Sequence, residues 1–178
     1  MDINKLEAAL DALSGNAYPV DQWQPNNIGT IDIQITANGQ WYHQQGLIKR
    51  DKLVTLFSKI LTKDSQQYYL VTPAEKLQIV VDDAPFVVVD FDIEQKGDGQ
   101  TVWLITNIGD KVPLSETYNV ILKGPEQRPY IKLWRGLEAL IDRTTYYQLI
   151  DCAREHQNDG ETTMMISSQQ QQFCLGRF

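Results

Sequence analysis

Between Gly46 and Val89 the chain reads GLIKRDKLVTLFSKILTKDSQQYYLVTPAEKLQIVVDDAPFVVV, a run in which nearly every residue carries a local structural signal. Leu53, Leu56, Phe57 and Ile60 fall at i, i+3, i+4 and i+7, with Val54 and Leu61 widening the stripe, so a helix is expected from about Asp51 to Leu61. Lys52, Lys59 and Lys63 lie along one flank of it. A Lys63-Asp64-Ser65 turn leads into a strand from Tyr68 to Val71. Thr72-Pro73-Ala74-Glu75 then reads as a capping box with proline at the first helical position, predicting one helical turn before strand residues Leu77 to Val81. Asp82-Asp83-Ala84-Pro85 is a turn. From Phe86 a strand places Val87, Val89, Phe91 and Ile93 on one face and Asp90, Asp92 and Glu94 on the other. Helix and strands following one another with so little filler make the fold class α+β.

The flanking regions extend this pattern. Ile3, Leu6, Leu10 and Leu13 repeat at helical spacing behind Asp2, a good N-cap, and Gly15-Asn16 stops the run. The following AYPVDQWQPNN is an irregular connection. Ile31, Ile33 and Ile35 alternate with polar residues, Asn38-Gly39 supplies a two-residue hairpin turn, and Trp41, Tyr42 and His43 begin the return strand. Further on, Gly97-Asp98-Gly99 turns the chain into a strand from Thr101 to Thr106, and strands near Tyr118 to Leu122 and Tyr130 to Trp134 follow.

A final helix is expected to begin near Arg135, with an oddity: Leu137, Leu140 and Ile141 define one face, whereas Tyr146, Leu149, Ile150 and Ala153 define another about half a turn round. Either the helix breaks at Thr144-Thr145, or it buries different faces in succession. MMISS and FCLG, separated by four glutamines, predict a terminal hairpin covering a sheet edge. Residues 1–84 and 85–178 thus form two halves, each of antiparallel strands with one main helix. Duplication is indicated by element order alone, since no letter-for-letter repeat is present.

Composition narrows the function classes. The 178 residues, 42% hydrophobic and 22% charged, are a globular composition, and the net charge of −7 argues against general nucleic-acid binding, which needs lysine and arginine to neutralise phosphates. A local basic cleft stays open. No apolar run approaches the roughly 20 residues that span a bilayer, and the acidic amphipathic start is not a signal peptide, so a cytoplasmic location is expected. Cys152 and Cys174 form no C-x-x-C pair and read as reduced structural thiols. His43 and His156 are the only histidines, and neither a G-x-S-x-G nor a G-x-x-x-x-G-K pattern occurs. Asp82, Asp83, Asp90 and Asp92 lack calcium-loop spacing. No metal, cofactor or catalytic constellation is therefore expected, although an acid–base site of carboxylates alone stays open.

Four sets of residues are candidates for ligand contact. Trp41 and His43, two apart on a strand, share a face where an indole stacks on a base and an imidazole hydrogen-bonds; a hairpin packing its aromatic face on the helix explains Trp41 equally well. The start of the predicted turn at Thr72 offers free N–H groups to an anion, with Lys76 beside it, but Thr72 and Glu75 themselves consume part of that capacity. Arg135 and Arg143 suit bidentate contact with phosphate, against surface pairing with Glu138, Asp142 or Asp151. Thr106-Asn107, ending a strand, offers ligand hydrogen bonds or stabilises a turn.

The blocks WYHQQGLIKRDKLVTLFSKIL, YLVTPAEKLQIVVDDAPFVVV, LITNIGD and PYIKLWRGLEALIDRTTYYQL, in this order over roughly Gly29 to Leu149, resemble the bacterial domain-of-unknown-function family 1285. The resemblance implies two related α+β halves, the C-terminal one pleckstrin-homology-like. It also implies a nucleotide-like ligand at the interface of the halves and a role in signal transduction. The expectation is a non-enzymatic ligand-sensing or regulatory protein. An adaptor that grips a protein partner without a small molecule is the alternative. The glutamine-rich tail departs from the resemblance.

Overall fold

The structure, a computed structural model, describes residues 3–13, 18–97, 99–158 and 160–177. The expected N-cap Asp2, the helix stop Gly15-Asn16 and Asp98 of the Gly97-Asp98-Gly99 turn lie outside the described residues. The chain divides into two compact units, one running up to Pro85 and taking in Arg135–Leu137, the other made of Phe86–Trp134 and the chain from Glu138 onward.

In the first unit, helix α1 (Ile3–Asp11) buries Ile3, Leu6 and Leu10. Leu13 falls beyond its end and is exposed. After a short helical turn at Val20–Gln22 come β1 (Asn27–Ile35), β2 (Trp41–His43), β3 (Gly46–Leu47), α2 (Asp51–Ile60), β4 (Leu61–Asp64), β5 (Gln67–Val71) and β6 (Glu75–Val81). The strands form one sheet in the order β3-β2-β1-β6-β5-β4. Ile31, Ile33 and Ile35 of β1 are buried, as alternation predicts, and Leu53, Phe57 and Ile60 of α2 are buried with them. The ring of Phe57 meets that of Trp41 at 6.4 Å between centroids.

Three expectations are corrected here. The β1–β2 connection is longer than a two-residue turn: Gly39 N–H donates to Thr36 O (2.8 Å), Thr36 N–H donates to Gln40 O (2.9 Å), and of Asn38-Gly39 only Gly39 takes a left-handed conformation (φ 77°). The Thr72 box starts no helix. It closes the β5–β6 hairpin, with Thr72 N–H donating to Glu75 O (2.9 Å) and Thr72 Oγ1 accepting from Ala74 N–H (3.3 Å) and Glu75 N–H (3.1 Å). Those side-chain bonds suit a turn as well as a helix start, and sheet pairing of Leu70 with Leu77 and Tyr68 with Ile79 decides between them. The sheet is also not purely antiparallel, because β1 and β6 pair parallel from Asn27↔Glu75 to Ile35↔Val81.

The second unit comprises β7 (Phe86–Lys96), β8 (Gly99–Thr106), β9 (Lys111–Pro113), β10 (Val120–Lys123), β11 (Arg128–Lys132), β12 (Glu138–Ile141), α3 (Arg143–Asp151), β13 (Arg154–Asn158), β14 (Glu161–Ser168) and β15 (Gln171–Arg177). Its main sheet runs β10-β11-β12-β7-β8-β9, with β7 and β12 parallel. Counted from the first strand of each unit to the last, this is the order of the first sheet. A three-stranded sheet β13-β14-β15 completes the unit. The expected terminal hairpin is present as β14 and β15, turning at Gln169 and Gln170 with φ of 50° and 62°.

The predicted long last helix is two elements. Ala139 and Ile141 are buried in alternation along β12, Leu137 is buried just before it, and Asp142 then caps α3, its Oδ1 accepting from Thr145 N–H at 2.7 Å. Thr145 and Leu149 are the buried residues of that helix. The phase change in the sequence is thus a switch from strand to helix periodicity, and it comes before Thr144. The expected alternation along β7 also fails at one point: a bulge between Val88 and Asp90 sets Val89 outward, 46% exposed.

Candidate functional site

Each sequence-derived candidate has a definite place. Trp41 is buried (2% exposed) against Phe57, which leaves no open ring face for stacking. His43 sits half-buried at the end of β2, paired with Ile33 and Gly46. Thr72 is buried and its hydroxyl is occupied by the hairpin turn. Lys76 pairs with Asp64 at 2.7 Å and lies 4.3 Å over the Tyr69 ring. That pairing holds the Asp64 carboxyl below its usual range, the hydrogen bond to Lys76 contributing most and its positive charge next.

Thr106 and Asn107 shape a turn. Thr106 Oγ1 accepts from Asp110 N–H (3.1 Å), and Asn107 joins Val87 twice, its Oδ1 accepting from Val87 N–H (3.0 Å) and its own N–H donating to Val87 O (2.8 Å). Arg135 stands in no helix start but in a short turn, left-handed at φ 51°, where its Nη1 donates to Lys59 O at 2.8 Å. Burial lowers its pKa, against a raising contribution from Asp21.

Arg143 is the candidate that opens onto a substantial cleft. It is exposed, its guanidinium 5.6 Å from the Tyr147 ring centroid. The cleft, about 800 Å³ and wholly within the second unit, falls in the range of small-molecule sites. Arg143, Tyr146, Tyr147 and Ile150 supply one wall from a single face of α3, at i, i+3, i+4 and i+7. Opposite are the β10–β11 turn, Pro125 to Pro129, the β12 residues Leu140 and Ile141, and Gly176-Arg177 at the end of β15. Arg128, Arg143 and Arg177 thus line the cleft, with Glu126 the one carboxylate residue beside them.

These are three of the six arginines in a chain of net charge −7. Arg128 lies 5.5 Å from the Tyr130 ring centroid. Among the described residues, neither Arg143 nor Arg177 makes an ion pair. Tyr146 donates its hydroxyl to Leu175 O at 3.0 Å, and burial raises its pKa. Sequence reasoning missed Arg128, Arg177, Leu140 and Tyr147 as partners of Arg143. The second apolar face recognised on the last helix was the available signal, since it contains Tyr146 and Ile150.

A smaller cleft of about 540 Å³ in the first unit takes Lys76, with Lys63, Asp21, Asp64, Thr62, Ser65 and Trp23. Its charges are balanced, and Lys76 is already held by Asp64.

The model of the DUF1285 N-terminal domain, a domain of unknown function, matches residues 18–84, and that of the DUF1285 C-terminal domain matches residues 85–175. The chain belongs to the DUF1285 family. A crystal structure of a DUF1285 family protein from Silicibacter pomeroyi DSS-3 is similar at 36% identity and a TM-score of 0.80, over 95% of this chain and 93% of that one. One from Shewanella baltica OS155 is similar at 30% identity and a TM-score of 0.55, over 68% of this chain and 91% of that one. No curated protein matches. Among the described residues no helix is long and apolar enough to cross a membrane.

Proposed function

We propose that this DUF1285 protein is a non-enzymatic ligand-sensing or regulatory module that takes an anionic or nucleotide-like ligand in the arginine-lined cleft of its second unit. The observation that carries the reading is the convergence of Arg128, Arg143 and Arg177 on one cleft in an otherwise acidic chain. Arginine forks match phosphate and carboxylate oxygens. Cytoplasmic action in signal transduction belongs to the same proposal. So does descent of the two units by duplication, which their matching strand order supports. A pleckstrin-homology-like second unit is also part of the proposal, and its six-stranded sheet followed by one helix supports it.

A thermal-shift screen of nucleotides and other phosphate- and carboxylate-bearing metabolites tests the reading. Titration of any hit should show Arg143→Ala and Arg177→Ala weakened by about 1.5–3 kcal/mol, the range for charge-assisted hydrogen bonds, with the exposed control Lys59→Ala unchanged. Equal affinity in all three variants refutes the arginine site. The protein-adaptor alternative has single exposed apolar side chains to test, Ile28 at 67% and Val80 at 59%, four register positions apart across β1 and β6. It gains ground if no anion stabilises the protein and a Val80→Glu change abolishes capture of a partner.

A further inference from the structure

The polar groups of the arginine cleft say more about its ligand than its charge does. A nucleoside presents a base edge and ribose hydroxyls, each needing a hydrogen-bond partner when desolvated. The cleft has few to give. The Tyr146 hydroxyl is committed to Leu175 O at 3.0 Å, and Gln127 Nε2 donates back to Gly124 O at 3.3 Å within its own turn. Glu126 only accepts, and it repels an anion. Apart from the guanidiniums, Glu126, Gln127 and the hydroxyl of the exposed Tyr147, the side chains that line it are apolar: Pro125, Pro129, Leu140, Ile141, Ile150 and the rings of Tyr146 and Tyr147.

Such a surface is complementary to an apolar body. Leu140 and Ile150 are each only partly covered by the protein, and Tyr147 is 53% exposed. Covering such apolar area is favourable in proportion to the surface removed from water. The cations stand at the ends of two separate elements, Arg143 at the start of α3 and Arg177 at the end of β15.

Resting on the reading of this cleft as an anion site, we infer that its ligand is a singly headed amphiphilic anion: a carboxylate or phosphate on an aliphatic body of medium-chain length, the head at Arg143 and Arg177 and the chain along Leu140, Ile150 and the tyrosine rings. A free amphiphile and an anionic lipid in a membrane share this chemistry. The free amphiphile is the ligand meant, because the cleft is a bounded space of about 800 Å³.

Isothermal titration of the full-length protein with decanoate and decyl phosphate, kept below micelle formation, tests the inference. Adenosine monophosphate, inorganic phosphate and phosphatidylglycerol vesicles serve as comparison arms. The amphiphiles should bind at least tenfold more tightly than adenosine monophosphate or phosphate. Arg143→Ala, Arg177→Ala and Ile150→Ser should each weaken them about tenfold or more, while Lys59→Ala changes nothing. The arginine variants alter exposed side chains, so they keep the test meaningful if Ile150→Ser unfolds. Arginine-dependent binding of adenosine monophosphate without amphiphile binding overturns the inference and leaves the anion site standing. Binding of vesicles but not of the free amphiphiles overturns it in favour of a membrane surface. Amphiphile binding equal in every variant overturns it as non-specific adsorption. If none of the anions binds, the anion site falls and the inference with it.

Discussion

Ser168 offers the sharpest test of how the glutamine-rich tail is held. It is completely buried at the end of β14. Its Oγ accepts from Val102 N–H at 3.0 Å and donates to Leu114 O at 2.7 Å, while Leu114 N–H donates to Val102 O at 2.8 Å. One hydroxyl thus completes the pairing of β8 with the residue that follows β9. Ser168→Ala removes a single oxygen, so cavity formation is minor, but it strands a buried donor and a buried acceptor. At about 1–3 kcal/mol for each unsatisfied group, with some relief because the hydroxyl no longer has to be buried, the expected loss is about 2–4 kcal/mol.

Urea denaturation followed by circular dichroism should show this as a lower midpoint with unchanged slope, a shift of about 1–2 M for a slope near 2 kcal/mol/M. Exchange of the Val102 amide should accelerate along with it. Ser167→Ala is the control, since its hydroxyl only accepts from the exposed Gln172 side chain at 2.8 Å, and it should cost less than about 1 kcal/mol. A Ser168→Ala protein within about 0.5 kcal/mol of wild type would show that the hydroxyl is not the link between tail and sheet.

Phe57→Ala, at a fully buried position against Trp41, should cost about 3–5 kcal/mol in the same assay, and a loss near zero would mean that this face of α2 does not form the core. Lys76→Met should raise the acid-range pKa of Asp64 toward the ordinary carboxylate value of 3.8, read by NMR titration; an unmoved Asp64 would refute the pairing. Because the folded Asp64 pKa is the depressed one, its small contribution to stability is present above that ordinary value and is lost as pH falls through the folded pKa. Tyr146 has the opposite sign: its folded pKa is raised by burial, so stability is intact below 10.0 and falls as pH rises past it, when the unfolded chain ionises first. Tyr146→Phe should therefore flatten the alkaline end of the stability profile, and a profile identical to wild type above pH 10 would count against burial of that hydroxyl.

The elements legible in the sequence are those whose decisive contacts are local. Helix α2 was readable because Leu53, Phe57 and Ile60 recur at its period with few interruptions, and the β1–β2 hairpin because three isoleucines alternate up to a glycine turn. Thr72 shows where local reading stops. The same hydroxyl-to-amide bonds cap a helix or close a hairpin, and only the strands paired on either side choose between them. Likewise, Leu137 to Ile150 holds a strand period followed by a helical one, and a single long helix fits the letters until β7 appears beside β12.

Parallel pairing of β1 with β6 and of β7 with β12 joins residues far apart in the chain, so no local spacing encodes it. The arginine cleft is of the same kind. Sequence fixed Arg143 as a candidate by residue type, but Arg128 sits at the start of β11, just after a turn, and Arg177 at the end of a terminal strand. Composition and periodicity therefore determined the state of segments such as α2 and β1, where the choice is made over a few residues, but not at Thr72 or along β12. Sheet order, the exposed face of α3 and the meeting of three like charges were decided only in the folded unit, where chain closure brings distant residues within reach of one ligand.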